Sequence, residues 1–230
     1  RADVVGVCEV GGERGLRDLR LRLAGVGVEY PEAELVQGPD RDRCLALLSR
    51  YPLVRRDSVS GVPYELHGRP QWMKRGILDV TVDFGGGYRV RLVGVHLKSR
   101  LASREGEELQ RRMEAHVLRE HVDRVLEADP SVRLLVYGDL NETRDQPAIR
   151  ELVGERGGGK QLFELVAEDA AGERWTHYWK SGEVYSRIDY FLANRRVRGE
   201  VSAGRGRVHR WPGWSQASDH RPISVTLSAP

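Results

Sequence analysis

The sequence predicts one α/β domain, with two β-sheets packed face to face and helices over their outer faces. A nearly all-apolar run at residues 132–138 has the pattern of a strand buried on both faces. Two more apolar runs flank three glycines at 85–87 and predict a β-hairpin. Residues 104–128 keep apolar positions at helical spacing among many charges. Because no linker divides the 230 residues, we expect a single layered domain over 1–230.

The first half of the chain alternates strand and helix signals. It opens on a strand at residues 4–10, and three regularly spaced leucines predict a helix at 13–23. Residues 44–53 form the next predicted strand, which ends in a turn containing proline. Glycines and prolines in residues 57–75 predict irregular structure with a short hairpin.

The second half begins with the long helix, which should end before Pro130. Asp145 is placed to cap a short helix that starts at Pro147. Three glycines at 157–159 predict a surface loop. The remaining predicted strands lie near 174–179, 187–193 and 222–227.

Composition limits the class of protein. With 31% charged residues and no apolar stretch long enough to cross a bilayer, the chain has no predicted membrane span. A formal charge of +3 permits a polyanionic partner without requiring one. Cys8 and Cys44 lie in apolar runs without the spacing of a zinc site, so we expect free thiols. Because Arg1 is not an initiator methionine, we interpret the sequence as N-terminally incomplete, and both cytoplasmic and exported locations stay open.

Polar residues stand at the ends of five apolar runs. They are Glu9, His96, Asp139 with Asn141, Asp189, and Asp219 with His220. Strand ends can hold side chains rigidly at one common site. Acid, amide and imidazole groups together suit the binding of a hard cation and attack on a phosphate ester.

The segment GDLN at 138–141 is the most specific of these clusters. Gly138 allows a sharp exit from the strand. Asp139 could orient or deprotonate a water molecule, and Asn141 could donate hydrogen bonds to a phosphoryl oxygen. The alternative is local hydrogen bonding in a loop, which is the usual role of such a turn.

The segment SDH at 218–220 combines a carboxylate with an imidazole. Asp219 could bind a metal ion, and His220 could stabilise charge on the phosphate. Asp189 lies in a predicted buried strand and therefore needs a partner, for which His220 is suited as in a catalytic triad. The alternatives are a capped turn at SDH and an ion pair between Asp189 and Arg187.

Other candidates are weaker on their own. Glu9 could simply face solvent, and His96 could be a hydrogen-bonded core residue. Lys98 shares a strand face with His96 and could bind phosphate or mark a solvated edge. Aromatic residues cluster with cations in three places, where they could stack bases or pack in the core and at its rim. These places are Trp72 with Arg69, Lys74 and Arg75, then Trp175, Tyr178 and Trp179, and finally Trp211 with Trp214.

In their order along the chain, these clusters resemble those of the endonuclease/exonuclease/phosphatase superfamily, which has the deoxyribonuclease-I-like fold. The resemblance covers Asp3 to Leu227, and its segments are DVVGVCEV, LALLSRYP, GVHLKSR, YGDLNETRD, YSRIDYFLAN and SDHRPISV. It implies a four-layer α/β/β/α sandwich of two mixed sheets. It also implies a metal-dependent phosphoesterase that uses Mg²⁺, with Mn²⁺ as a substitute.

The resemblance also assigns roles to individual residues. Glu9 and Asp219 would bind the metal, and Asp139 would position the water. Asn141 and His96 would hold the phosphate, while Asp189 and His220 would stabilise the transition state. Lys98 and Arg75 are further candidates for substrate binding.

One departure from the family pattern affects this prediction. The family begins with a central strand ending in an Asn of the metal and phosphate site, and the sequence lacks that strand. We expect another segment to take its place, because its neighbours would otherwise have open edges. The predicted function is a Mg²⁺-dependent phosphodiesterase or nuclease acting on nucleic acid. The alternatives are an enzyme acting on a small-molecule or lipid head-group phosphate, and a binding module with an impaired site.

Overall fold

The computed structural model describes residues 1–229, which form sixteen strands and five helices. The strands are β1 (Val4–Val7), β2 (Glu32–Val36), β3 (Leu45–Ser49), β4 (Leu53–Arg56), β5 (Val62–Leu66), β6 (Arg69–Met73), β7 (Leu78–Asp83), β8 (Arg89–His96), β9 (Leu134–Asp139), β10 (Phe163–Glu164), β11 (Ala167–Glu168), β12 (His177–Trp179), β13 (Val184–Ser186), β14 (Asp189–Ala193), β15 (Gly206–Val208) and β16 (Ile223–Ser224). The helices are α1 (Gly12–Gly25), α2 (Glu107–Ala128), α3 (Pro147–Val153), α4 (Arg195–Gly199) and α5 (Trp214–Ala217).

The largest sheet has six strands in the order β10-β14-β9-β8-β7-β4. Strands β8 and β9 are parallel and the other neighbours are antiparallel, so the sheet is mixed. Two three-stranded sheets have the orders β1-β3-β2 and β11-β15-β16. Hairpins β5–β6 and β12–β13 complete the sheet structure of the described residues.

Alternation along single strands produces the layers. In β3, Leu45 and Leu47 pack toward the six-stranded sheet, whereas Leu48 packs with helix α1. In β8, Leu92 packs between the sheets and Val93 packs with helices α2 and α3. Because successive side chains of a strand point to opposite faces, each sheet buries two cores. The layers are α1, the β1-β3-β2 sheet, the six-stranded sheet, and α2 with α3, which confirms the predicted four-layer sandwich.

Local expectations differ from the structure at several places. The short strands β4, β10, β11, β13 and β15 were not predicted. Strand β2 was not predicted, and the last predicted strand is limited to Ile223–Ser224. Helix α3 begins at Pro147, but its N-cap is Gln146 rather than Asp145. Asp145 has a φ of 66°, in the left-handed region, whereas an N-cap residue has extended backbone.

The outer edge of β1 has no strand partner within residues 1–229. Strand β1 pairs only with β3, and β16 pairs only with β15. Val4 of β1 and Val225, just after β16, pack in the same core between the sheets. The expectation that another segment replaces the family's first strand is therefore not met by the described residues.

Candidate active site

Three of the predicted residues lie side by side across the six-stranded sheet. His96 ends β8 and is paired in register with Asp139, which ends β9. Asp139 is in turn paired with Asp189, the first residue of β14. Because β8 and β9 are parallel and β14 runs against them, two strand ends and one strand start meet at the same edge of the sheet.

Asp139 and Asn141 form one buried hydrogen-bonded unit. The Asn141 backbone N–H donates to Oδ1 of Asp139 at 2.8 Å, and its Nδ2 donates to Oδ2 at 3.1 Å. The same Nδ2 donates to the Leu97 carbonyl at 3.1 Å. Asn141 has a φ of 49°, a left-handed conformation that Asn tolerates well. The turn and the carbonyl that follows β8 therefore fix both side chains.

Gly138 is required by close packing of the backbone. Its φ is +143°, and a Cβ there would lie 1.9 Å from the carbonyl oxygen of Val95. Any other residue would push β9 away from β8 at the point where Asp139 is held. The glycine of GDLN thus lets two strand ends approach closely.

Asp189 and His220 are joined by a hydrogen bond of 2.9 Å between Oδ2 and Nδ1. Burial alone would lower the pKa of His220, but this hydrogen bond and the charges of Asp189, Asp139 and Asp219 raise it to about 9. His220 is therefore protonated at neutral pH. Arg187, the alternative partner, forms an ion pair with Glu164 at 2.8 Å.

His96 is buried, with 3% of its surface exposed, and its Nε2 lies 3.5 Å from Oδ2 of Asp139. Burial and the nearby charges of Arg75 and His220 lower its pKa to about 3. The ring is therefore neutral, while its buried Nδ1 has no hydrogen-bond partner among the described residues. A buried polar atom without a partner is uncommon and fits a site that contacts a ligand.

The model of the endonuclease/exonuclease/phosphatase family matches residues 1–220. The chain belongs to this family. No curated protein sequence matches it. The fold is shared with sphingomyelinase C from Streptomyces griseocarneus, at 20% identity and a TM-score of 0.65 over 99% of this chain and 84% of that one. It is also shared with truncated TDP2 from Caenorhabditis elegans, at 18% identity and a TM-score of 0.64 over 99% and 85%.

Another solved structure with this fold is beta toxin from Staphylococcus aureus. It is 17% identical, with a TM-score of 0.69 over 99% of this chain and 87% of the toxin. The family is described by endonuclease, exonuclease and phosphatase activities, so the chain belongs to a family of phosphate-ester hydrolases. The solved structures show that it also has their fold. Among residues 1–229, no helix combines the length and the apolar character needed to cross a membrane.

The family site carries an excess of negative charge in this chain. Burial, the charge of Asp189 and that of Glu9 raise the pKa of Asp139 well above its usual range. Glu9 lies just after β1 with a φ of 60°, and its carboxylate is 56% exposed and 3.5 Å from Nε of Arg43. Oxygen donors that repel one another in this way suit a hard divalent cation. The donor set therefore fits a hard divalent cation such as Mg²⁺.

Asp219 lies on the exposed side of the site. Its side chain is 71% exposed and its Oδ2 lies 3.6 Å from Nε2 of His177. Ligand atoms of His177, Asp219 and His220 lie within 4.8 Å of one another. Within residues 1–229, no such group includes both Glu9 and Asp219. The assignment of both to one metal ion stays a prediction.

His177 belongs to the site but was missed in the sequence. Its ring centroid lies 4.6 Å from that of His220, and its buried Nδ1 has no partner in the described part of the chain. Burial and the charge of His220 lower its pKa. In the sequence, the segment THYW was noted only for its aromatic residues. His220, which forms a β-bridge with His177, is distant along the chain, so no local pattern links the two.

The two predicted substrate-binding cations already have partners within the protein. Nζ of Lys98 donates to the carbonyls of Ser99 at 3.0 Å and Leu101 at 2.9 Å. Arg75 is buried, with Nε 3.4 Å from Asp40 and a hydrogen bond of 3.4 Å to the Leu97 carbonyl. Arg75 does not present its guanidinium to solvent, because the Asp40 charge and the Leu97 carbonyl hold it inside. It supports the carbonyl that also positions Asn141.

Proposed function

We propose that this protein is a Mg²⁺-dependent phosphodiesterase in which a water molecule attacks phosphorus in line with the leaving oxygen. The observation that best supports this is the row of His96, Asp139 and Asp189 across three strands, with His220 bonded to Asp189. It combines a basic carboxylate, an amide and a protonated imidazole at one sheet edge.

The protonation state of each residue would determine its role in the reaction. Asp139, with its raised pKa, is suited to accept a proton from the attacking water. His220 is positively charged and can donate a hydrogen bond to a phosphoryl oxygen as negative charge develops there. The neutral His96 would position the phosphate without adding charge. Asn141 donates its amide hydrogens to Asp139 and Leu97, so it would act by holding the Asp139 carboxylate in place. A Mg²⁺ ion held by Glu9 and Asp219 would neutralise charge on the phosphoryl group.

Nucleic acid is the substrate class that we propose first. A phosphodiester between two nucleosides suits in-line attack, and several aromatic side chains flank the site. A lipid head group is the second candidate, because the chain shares its fold with a protein named sphingomyelinase C. The salt dependence distinguishes the two substrate classes. Affinity for a nucleic acid should fall steeply as the salt concentration rises, whereas hydrolysis of a zwitterionic lipid should change little.

Hydrolysis of bis-p-nitrophenyl phosphate tests the proposed reaction. We expect turnover with Mg²⁺ or Mn²⁺ and none with EDTA. Asp139→Asn and His220→Ala should each lower the rate by about 10²-fold or more. Two surface variants serve as matched controls and should retain the wild-type rate. They are Asp18→Asn on α1 and His116→Ala on α2.

A binding module with an impaired site is the alternative outside the enzyme class. It would show no metal-dependent turnover although the protein is folded, and the two site variants would behave like their controls. The buried Asp139 and its hydrogen bonds with Asn141 support the enzyme, since a binding module has no need of such a costly group.

A further inference from the structure

Hairpin β12–β13 places an exposed indole next to the candidate active site. In its register, His177 lies opposite Ser186 and Trp179 lies opposite Val184. Because side chains alternate along a strand, these four share one face and the two hairpin tyrosines lie on the other. Trp179 and Val184 are exposed to 57% and 44%. The face that carries His177 therefore continues into an apolar surface.

This face is joined directly to the catalytic segment. His177 contacts Asp219 at 3.6 Å and its ring lies 4.6 Å from that of His220. The backbone N–H of Tyr178 donates to the Asp219 carbonyl at 3.1 Å. Trp179 lies two positions along the strand from His177, a distance of about 7 Å. A sugar is a spacer of suitable size between a phosphate at the histidine pair and a ring at Trp179.

The Trp179 indole is held flat against the hairpin turn. A Cβ at Gly182 would lie 2.3 Å from Cε3 and Cζ3 of Trp179, so the six-membered ring rests on the backbone of Gly182. The exposed surface of the indole therefore belongs mainly to its other face. A planar ring fixed in this way can stack on another planar ring without losing much side-chain freedom.

The aromatic residues on the opposite face of the hairpin pack against one another. The rings of Tyr178 and Tyr185 stack at 4.4 Å, Trp175 lies 4.7 Å from Tyr185, and Trp214 lies 5.8 Å from Trp175. These contacts hold the hairpin in place. Of the aromatic patch predicted at 175–179, Trp179 is the side chain that combines high exposure with the face of His177.

We propose that Trp179 is a stacking platform for the base of a nucleotide whose phosphate is cleaved at the histidine pair. This inference rests on the proposed phosphodiesterase function and names the substrate group that the site recognises. The turn of the hairpin favours a soluble ligand over a lipid surface, because Lys180 and Glu183 are exposed there. Inserting this turn into a bilayer would bury both charges.

Matched substrates test the platform. The p-nitrophenyl esters of thymidine 5′-phosphate and thymidine 3′-phosphate contain a base, and methyl p-nitrophenyl phosphate has none. The readout is the ratio of kcat/KM for each thymidine ester to that for the methyl ester. Trp179→Ala should lower this ratio about tenfold, mainly through KM, for the ester whose base reaches the platform. Trp179→Phe should retain part of it.

Two further variants separate stacking from general damage. Gly182→Ala should also lower the ratio, because the added Cβ displaces the indole although Trp179 is still present. Gly182 does not have a left-handed φ, so alanine adds no backbone strain there. Trp72→Ala should keep the wild-type ratio, because this indole is 51% exposed but lies on hairpin β5–β6. Thermal melts should show that each variant is folded.

The outcomes distinguish this proposal from the function on which it rests. If wild type hydrolyses none of the esters, the phosphodiesterase proposal fails, and anisotropy of a labelled oligothymidylate then tests the platform alone. An unchanged ratio in Trp179→Ala, or unchanged oligothymidylate affinity, overturns the platform. Loss of binding to phosphatidylcholine vesicles with retained oligothymidylate affinity also overturns it and makes the hairpin a lipid-docking element.

Discussion

The charge of His220 depends on its contact with Asp189. The hydrogen bond at 2.9 Å and the surrounding carboxylates raise the pKa of His220 to about 9, although burial opposes this. Because the folded-state pKa is raised, the pair stabilises the fold fully below about pH 6.5, and this stabilisation is lost as pH rises through about 9. Catalysis that needs the imidazolium should decline over the same upper range.

Asp189→Asn should lower the pKa of His220 toward about 6.5 and reduce the rate at pH 8 about tenfold or more. Titration of the His220 ring by NMR and a pH–rate profile measure the two effects. Asp219→Asn is the control for the titration alone: Asp219 is 71% exposed and is the smallest of the charges that raise the pKa of His220, so this pKa should fall less than in Asp189→Asn. A His220 pKa that stays near 9 in Asp189→Asn would contradict the assignment.

Helix α2 is held on the six-stranded sheet by a buried ionic cluster away from the active site. Asp79 of β7 accepts hydrogen bonds from Arg91 of β8 at 2.7 and 2.6 Å and contacts Nε2 of His121 of α2 at 2.6 Å. Arg91 also donates to Asp57 at 2.7 Å. Burial opposes the charge of Asp79, but its hydrogen bonds to His121 and Arg91 hold its pKa below the usual value.

Asp79→Asn should lower the free energy of unfolding by about 3 kcal/mol at pH 7, because Arg91 and His121 lose their shared buried carboxylate and Arg91 keeps only Asp57. A lowered folded-state pKa contributes stability above the unfolded value of about 3.9, and this is lost as pH falls through the folded value. The difference between wild type and Asp79→Asn in urea unfolding should therefore shrink below about pH 4. An equal stability difference at pH 7 and at pH 3 would exclude this linkage. Asp18→Asn, on the surface of α1, is the control variant.

The whole fold gathers negative charge from distant parts of the chain into one site. Glu9 follows the first strand, whereas Asp139 and Asp189 come from β9 and β14. Burial raises the pKa of Asp139 most, and the charges of Asp189 and Glu9 raise it further. An ion that binds only the folded protein stabilises it by mass action, by about 2.7 kcal/mol at 100 times its Kd. Metal binding should therefore be visible in the stability of the entire molecule.

Saturating Mg²⁺ should raise the Tm by roughly 5–10 °C, and EDTA should reverse the rise. Glu9→Gln should keep the metal-free Tm, because the side chain is 56% exposed, but should lose most of the Mg²⁺-dependent increase. Glu65→Gln on hairpin β5–β6 should behave as wild type. An undiminished Mg²⁺ response in Glu9→Gln would remove Glu9 from the metal site.

The sequence alone was sufficient for features that depend on local pattern. The apolar runs that became β7, β8 and β9, the spacing of helix α2 and the polar residues at strand ends could all be predicted. Period and strand-end position are encoded in neighbouring residues, so His96, Asp139 and Asp189 could be assigned to one common site. Their placement at one edge of the same sheet came from the structure. The resemblance to the family added the order of the layers.

Only the tertiary structure decided which side chains meet. Asp189 contacts His220 rather than Arg187, and His177 lies beside His220 in the site. Arg75 is buried, whereas the indole of Trp179 is exposed. These outcomes depend on strand register and on packing between segments distant in sequence, and no local periodicity encodes them. The sequence thus determined the chemical groups and their strand ends, whereas the packing of sheets determined their partners, burial and pKa values.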